Sequence, residues 1–228
     1  MTRAKALVQA ETGPRVPLVQ ALKTYNVKLT FTTPILGSAP SSKDVYKNYV
    51  ASQMPEPTEE KVAIEVDQIP TEPTQVGKTI FRVDPETKHL IYLPHQIRGF
   101  MKEAASAITG KSIVAFRSKI DKFVFVSPDI IELKLNGEPI VATTEAPLST
   151  LERPLKAFTA QGPRVSLLSS EQIQKGVEAS FKILVLPLAQ REITEEVLRA
   201  WLDYGQFQGI SQWRNGGYGR FTYELTAE

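Results

Sequence analysis

The chain carries one stretch that decides its predicted fold, Gly209-Ile210-Ser211-Gln212-Trp213-Arg214-Asn215-Gly216-Gly217-Tyr218-Gly219-Arg220-Phe221. Before it, Thr194 and the two glutamates that follow are typical of a helix N-terminus, where acids interact favourably with the helix dipole. After it, Phe221–Leu225 has the composition of a strand. Residues 209–220, which we name the glycine loop, are therefore predicted to connect the last helix to the last strand.

The glycine loop has a composition suited to phosphate. Glycine permits positive φ and close approach of a ligand to the main chain, and successive N–H groups in such turns can form concave anion sites. Arg214 and Arg220 add planar donors that match phosphate, and Trp213 and Tyr218 offer faces for base stacking. It is not a Walker loop, because its glycines precede a strand. The alternative is a structural turn with Trp213 packed in the core.

Strands are predicted elsewhere by alternating apolar and polar residues. Asn26–Ile35 and Ala179–Leu186 alternate most clearly, and Asn136-Gly137 is a strong hairpin turn signal. The other predicted strands are Thr79–Val83, His89–Leu93, Lys122–Val126, Ile130–Leu135, Pro139–Ala142 and Pro163–Leu168.

A helix is predicted from Pro94 to about Ile108, since proline is favoured in the first helical turn and Gly110 follows. Arg98 and Lys102 lie one turn apart, so both could reach the same ligand. The apolar positions that recur at helical spacing, and so predict a buried stripe, are Ile97, Met101, Ala104, Ala105 and Ile108.

Two segments lie outside this pattern. Residues 1–25 are predicted to form an N-terminal arm with a short helix at Leu18–Thr24. Ser38–Gln75 is rich in Pro, Ser, Thr and Glu, which predicts a long, mobile insertion with a short helix near Lys43–Ala51.

The order of predicted elements contains a βαββαβ core. That order predicts an α+β fold of the ferredoxin-like (RRM-related) kind, with an antiparallel sheet, two helices and a long insertion after the first strand. We expect one domain over residues 26–228, with the insertion at about residues 38–78.

Composition excludes several classes of protein. The chain has 228 residues, 42% of them hydrophobic and 23% charged, as in ordinary globular proteins. It has no apolar run near the roughly 20 residues of a membrane span. Its N-terminus lacks the apolar region of a secretory signal, so we expect a cytoplasmic protein. The absence of cysteine excludes disulfides and thiol catalysis, and with two histidines we expect no metal or cofactor.

The net charge of +2 is unevenly distributed. Residues 56–67 carry five acids against one lysine, whereas residues 206–221 contain two arginines and no acid. A second basic segment runs from Arg98 to Lys122. The two basic segments could form one face for a polyanion, although such runs are also typical of solvated surfaces.

Three motifs, taken in chain order, resemble the RAMP superfamily. These are the RRM-related proteins that build the backbones of CRISPR effector complexes and include their guide-processing nucleases. Phe31–Gly37 is similar to the family's first strand and its following Pro-Leu-x-Gly turn. Leu93–Lys102 is similar to its first helix, with a basic residue–glycine pair, Arg98-Gly99, one turn in. The glycine loop is similar to the loop before its last strand.

The resemblance implies binding of single-stranded RNA or DNA, and assembly of protomers into a row, ring or filament. A phage-encoded relative that coats single strands is equally compatible. The acidic segment after the first strand departs from the family's pattern. The residues predicted to bind nucleic acid are Arg98, Lys102, Lys111, Arg117, Lys119, Gln212, Trp213, Arg214, Asn215, Gly216, Gly217, Tyr218 and Arg220.

Two other functions stay open. A RAMP-type endoribonuclease would use His95, at the start of the first helix, for general acid–base chemistry, with packing against the sheet as the favoured alternative for His95 and for His89. Asp44, Asp67 and Asp84 could supply a cleavage aspartate, although solvated loop acids are the better interpretation. The last possibility is a scaffold or phage assembly protein without a nucleic-acid ligand.

Overall fold

The computed structural model describes residues 21–41, 78–142, 147–159 and 162–228. Within these ranges the chain forms two sheets and three α-helices; all strand pairs are antiparallel except β4 with β11, which is consistent with the α+β class. None of the helices in these ranges is long and apolar enough to cross a membrane. In chain order the elements are β1 (Lys23–Phe31), β2 (Ile35–Leu36), β3 (Ala39–Pro40), β4 (Lys78–Ile80), β5 (Arg82–Val83), β6 (Leu90–Tyr92), α1 (Pro94–Ile108), α2 (Phe116–Phe123), β7 (Val124–Ser127), β8 (Ile131–Leu135), β9 (Glu138–Pro139), β10 (Leu148–Thr159), β11 (Gly162–Ile173), β12 (Val177–Val185), α3 (Glu195–Gln208) and β13 (Phe221–Ala227).

The larger sheet has the order β13-β1-β12-β8-β6-β5, with β7 also paired to β12 and β9 to β8. Every pair in it is antiparallel, and Val27 on β1 lies opposite Phe181 on one side and Leu225 on the other. The predicted strands at Ala179–Leu186 and Phe221–Leu225 therefore share one antiparallel sheet. Alternation on β1 buries Val27 and Leu29 on one face, as the sequence pattern predicts.

Helices α1 and α3 pack on the apolar face of this sheet. Phe100 of α1 meets the ring of Phe221 edge-on, with centroids 5.5 Å apart. Trp201 of α3 is fully buried and its Nε1 donates to Thr109 Oγ1 at 3.0 Å, which fastens α3 to the end of α1. Helix α1 begins and ends where predicted. Its buried stripe includes Phe100, but Ile108 is 46% exposed and does not belong to it.

A second sheet has the order β10-β11-β4-β3, with β2 paired to β11. The predicted strand Pro163–Leu168 is part of the longer β11, and β10 is an unpredicted partner that runs its full length. The proline at position 154 interrupts the strand pattern of β10. It is tolerated because β10 lies at the edge of the sheet.

Several predicted boundaries are wrong. Strand β1 begins at Lys23, so the helix predicted at Leu18–Thr24 and the arm boundary at residue 25 both overlap it. Strand β1 also ends at Phe31, before Pro34. Helix α2 replaces the start of the strand predicted at Lys122–Val126, and it was missed because Ile120 is its one buried residue.

The predicted insertion lies mainly outside the described residues, as does the helix near Lys43–Ala51. At its two ends, Ala39 pairs with Ile80, which brings β3 beside β4. Two local predictions are confirmed. Asn136 and Gly137 both have positive φ in the β8–β9 turn, and Thr194 Oγ1 accepts a hydrogen bond from Val197 N at 3.4 Å at the start of α3.

Candidate nucleic-acid interface

The base of the glycine loop is closed by two glycines in contact. Ile210 N donates to Gly219 O at 2.8 Å, and both Gly209 and Gly219 have positive φ. A Cβ added at Gly209 would lie 2.6 Å from the main chain of Gly219, closer than real Cβ contacts come. The base therefore requires glycine for both backbone conformation and space.

The base is also tied to the connection between β1 and β2. Thr32 N donates to Arg220 O at 2.8 Å, and Gly219 N donates to Pro34 O at 2.9 Å. Ser211 Oγ accepts from Leu36 N at 3.0 Å. Two of the sequence motifs, Phe31–Gly37 and the glycine loop, are thus direct neighbours that share main-chain hydrogen bonds.

The tip of the loop exposes aromatic surface. Trp213 is 42% exposed, and its ring stacks on Tyr218 with centroids 5.1 Å apart and planes 17° apart. The guanidinium carbon of Arg153, on β10, lies 4.3 Å from the Trp213 ring centroid. The alternative in which Trp213 packs into the core is therefore wrong, and the fully buried tryptophan is Trp201.

Two amide side chains hold the loop to its surroundings. Gln212 Oε1 lies 2.8 Å from Thr79 Oγ1 and 3.2 Å from Ser170 Oγ, which links the loop to β4 and β11. Asn215 Oδ1 accepts from Gln208 Nε2 of α3 at 3.4 Å. Both residues have a structural partner for their carbonyl oxygen.

Arg214 forms an ion pair with Glu103 of α1. Both side chains are half-buried, and Glu103 Oε1 also accepts from Gln208 Nε2 at 3.5 Å. The pair fixes the loop against one flank of α1 and neutralises the charge of Arg214.

The other predicted cations divide into paired and unpaired groups. Lys102 pairs with Asp121 of α2, and Lys119 pairs with Glu192. Arg117 lies over the ring of Phe116, 5.9 Å from its centroid. Within the described residues, no ion pair is formed by Arg98, Lys111, Arg117 or Arg220.

The ion pairs show how α1 is oriented between its neighbours. Lys102 reaches α2, whereas Glu103 reaches the glycine loop, so these adjacent residues mark opposite flanks of the helix. Arg98 is four residues before Lys102 and shares the α2 flank. Arg98 and Lys102 therefore lie on a different flank of α1 from the glycine loop. The solvent-exposed line of the helix between these flanks, which includes Gly99, is called the crest of α1.

The exposed residue on the crest of α1 is a glycine, Gly99. Gly99 is exposed, and a Cβ added there would meet no atom within 4 Å. A glycine in a helix interior costs about 0.5–1 kcal/mol relative to alanine. Nothing in the described part of the chain needs glycine at this position, in contrast to Gly209 and Gly219.

The catalytic candidates are mostly engaged in structure. Asp84 accepts from Glu86 N at 3.1 Å and from Thr87 Oγ1 at 2.7 Å, and the Thr87 hydrogen bond is the main reason that its pKa is lowered. It is a turn residue. His89 Nδ1 lies 2.7 Å from Glu132 Oε1, and His95 lies half-buried in the first turn of α1.

Asp44 and Asp67 lie outside the described residues. Among the residues that the structure does describe, no three His, Asp or Glu side chains are grouped as a metal site would require.

Sequence reasoning missed Glu103 and Arg153. Glu103 is 111 positions from Arg214 in the chain, and Arg153 lies on the unpredicted strand β10. For Arg153 there was no sequence signal. For Glu103 the only signal was its position four residues after Gly99, which places Glu103 and Gly99 on one face of the helix.

No protein-family model matches the chain, and no curated protein matches it. The chain is similar to one in a solved structure titled "Cryo-EM structure of the Type III-B Cmr-beta bound to cognate target RNA", with 10% identity and a TM-score of 0.47. The similarity covers 92% of this chain but 61% of that one, so this chain spans about three fifths of its length. A similarity at this level carries no argument about function.

Proposed function

We propose that the protein binds single-stranded nucleic acid, RNA or DNA, across the crest of α1 and along the tip of the glycine loop. The observation that carries this proposal is the exposed, contact-free Gly99 between a basic flank of α1 and the loop. A strand that crosses the helix there can touch Arg98 on one side and the loop on the other.

Glycine on the crest favours a ligand with a bulky backbone. A side chain at position 99 would hold a crossing strand away from the helix, whereas glycine lets sugar and phosphate groups approach the main chain. The cost of helical glycine is then offset in the bound state. This interpretation explains a residue for which the described fold offers no structural reason.

The cations differ in how readily they can bind phosphate. Arg98 and Arg220 are the strongest candidates, because neither forms an ion pair within the described residues and each can present a two-donor fork. Lys111 and Arg117 are exposed beyond the C-terminal end of α1, where a longer strand could reach them. Lys102, Lys119 and Arg214 must first exchange a carboxylate for phosphate.

The loop tip supplies the remaining contacts in this proposal. Trp213 and Tyr218 form a stacked aromatic surface, and a base stacked on it would contribute about 1–3 kcal/mol. Gly217 lets the backbone of the strand approach, and Gly216 leaves room for the Trp213 ring that lies over it. The amide groups of Gln212 and Asn215 would lie beside the bound strand.

We also infer a ferredoxin-like core related to the RAMP superfamily. The strand order β13-β1-β12-β7 supports it, because each outer strand of such a core pairs antiparallel with a central one. The packing of α1 and α3 on one sheet face supports it as well. Assembly along a strand into a row, ring or filament is part of the proposal, and light scattering with and without oligonucleotide tests it.

The deciding experiment measures binding of labelled single-stranded RNA and DNA over a salt series. We expect an Arg98→Ala/Arg220→Ala variant to bind every sequence more weakly, with the salt slope reduced by about 1.4, since each phosphate contact contributes about 0.7. Arg191→Ala is the matched control, because it removes an exposed arginine that is not among the residues predicted to bind nucleic acid. An unchanged slope in the folded double variant would contradict the proposal.

The same assay separates the other two functions. Oligonucleotides that are bound but keep their length support a binding protein, whereas shortened oligonucleotides indicate a nuclease. In the second case, loss of cleavage in His95→Ala would support His95 as the general acid or base. No shift at low salt indicates a scaffold.

A further inference from the structure

Arg153 is a buried arginine without an anion. It projects from β10 in the second sheet and is 7% exposed. Its Nε and Nη1 are buried, and neither has a hydrogen-bond partner in the described part of the chain. A buried charge is costly unless it is paired and hydrogen-bonded. The described residues around Arg153 therefore do not supply the acceptors that its guanidinium group needs.

The contact with Trp213 compensates this cost only in part. The ring attracts the cation through its electron-rich face, at 4.3 Å from the guanidinium carbon to the centroid. A ring face does not replace the acceptors that guanidinium N–H groups need. Burial lowers the pKa of Arg153, and the nearby Tyr218 raises it by less, which is the balance expected for a cation that lacks a counter-ion.

The segment that covers Arg153 is itself in unfavourable backbone conformations. Trp213 has φ of 56° and Ser211 has φ of 136°, both unusual for residues other than glycine. Residues in such conformations cluster at ligand-binding and switching segments, where the surrounding structure maintains the strain. Two independent features, a buried unpaired cation and a strained covering residue, therefore meet at one place.

We propose that Arg153 is a phosphate-binding residue of the loop tip. Two of its guanidinium N–H groups donate to the oxygens of a phosphodiester, and the Trp213 ring exchanges its contact with Arg153 for a contact with the adjacent base. This inference rests on the proposed function and adds a further element, the strand pair β10–β11, to α1 and the glycine loop. Arg153 of β10 and Trp213 of the glycine loop would then form one subsite for a nucleotide.

The test compares Arg153→Met with the wild type in the oligonucleotide assay. Methionine keeps an apolar contact with the Trp213 ring, so the variant removes the charge but preserves packing. We expect an increase in Kd of about tenfold or more and a salt slope reduced by about 0.7. A folded variant with the wild-type slope would overturn the inference, because a residue that only supports Trp213 leaves the slope unchanged.

Arg153→Lys provides a second measure if the methionine variant does not fold. It keeps the charge but loses the planar two-donor fork. A raised Kd with a slope near the wild-type value supports the inference, whereas an unchanged Kd overturns it. Arg191→Met and Arg191→Lys are the matched controls.

A probe without bases separates this inference from the proposed function. Inorganic tripolyphosphate is expected to raise the Tm of the wild type and of Arg191→Met by more than that of Arg153→Met, which keeps the other proposed phosphate-binding cations. If the wild type binds no oligonucleotide yet shows this difference, the proposed function fails and the anion site stands. If the wild type binds strands while Arg153→Met matches it in slope and in its response to tripolyphosphate, the anion site fails and the proposed function stands.

Discussion

The two ends of the glycine loop are built on different principles. At the base, Gly209 lies against the main chain of Gly219, and Gly219 lies against that of Ile210. Their N–H groups donate to Gly205 O of α3 and to Pro34 O in the connection after β1. At the tip, Gly217 has space around it, with the side chain of Arg220 as its nearest neighbour at 3.6 Å. Gly216, its neighbour, lies under the Trp213 ring, where an added Cβ would come within 2.7 Å of the ring. The base glycines therefore pack against main chain, whereas the tip combines one glycine under a side chain with one that is open.

The glycine loop therefore has a structural part and an exposed part. The base is a structural joint between β1, α3 and β13, held mainly by main-chain hydrogen bonds. The tip is held by side chains: the ion pair of Arg214 with Glu103, and the contact of Trp213 with Arg153. Changes at the base should therefore affect folding, and changes at the tip should affect binding.

The largest expected effect comes from Gly209→Ala compared with Gly217→Ala. Both glycines have positive φ, which costs alanine about 1–2 kcal/mol, but only the first substitution also forces a clash with main chain. We expect losses in the free energy of unfolding of about 2–5 kcal/mol for Gly209→Ala and about 1–2 kcal/mol for Gly217→Ala, measured by urea denaturation. Equal losses would remove the distinction between base and tip.

The second largest effect is expected when the ion pair of Arg214 with Glu103 is broken. Glu103→Gln removes the carboxylate that neutralises Arg214 and keeps the shape of the side chain. Since exposed and half-exposed ion pairs contribute little, stability should change by about 1 kcal/mol or less. Affinity for oligonucleotide should rise several-fold, with a steeper salt slope.

Glu195→Gln is the control for this prediction, because it breaks the Glu195–Arg199 pair on α3 instead. If Glu103→Gln binds no better than Glu195→Gln, then the charge of Arg214 does not act on the strand.

A smaller effect is expected at the α1 crest. Gly99→Ala should stabilise the fold by about 0.5–1 kcal/mol, because alanine favours the helix and meets no neighbour. The same substitution should weaken oligonucleotide binding if a strand crosses the crest. Ser106→Ala, at an exposed position on the same helix, should leave binding unchanged. A more stable Gly99→Ala variant with unaltered Kd would rule out the crossing path.

The smallest effect concerns Tyr92, which lies near Ser211 at the base of the loop. Its hydroxyl is buried and has no hydrogen-bond partner among the described residues, so Tyr92→Phe should change stability by about 1 kcal/mol or less at neutral pH. Burial raises the pKa of Tyr92.

The sign of the pH dependence follows from that shift. Above about pH 10 the tyrosine ionises in the unfolded chain but not in the folded one, so the wild type loses stability as pH rises. Below that pH the contribution is fully present. Tyr92→Phe should lose less stability than the wild type between pH 10 and 11, as measured by urea denaturation, and equal losses would show that Tyr92 is not the responsible group.

Much of the main sheet and its two long helices could be predicted from local patterns. Strand β12 and helices α1 and α3 were located from alternation, caps and helical spacing. Prediction failed where the local pattern was weak. Helix α2 buries only Ile120, and the proline in β10 hides a long edge strand.

The candidate site was predicted only in part. The loop and the basic face of α1 could be identified by residue type, but residue type could not show which charges are free. Lys102 and Arg214 both have carboxylate partners, whereas Arg98 and Arg220 have none within the described residues. The partner of Arg214 is distant in the chain and nothing in its local pattern marks it.

The positions of most turns, caps and amphipathic stripes follow from local sequence, since these depend on φ preferences and on burial that repeats over a few residues. Only the tertiary structure decided that Arg153 lies under Trp213, that Glu103 neutralises Arg214 and that Gly99 stands open on the crest of α1. The physical reason is that charge pairing and exposure depend on distances between residues far apart in the chain, and those distances are set when the two sheets and the helices pack together.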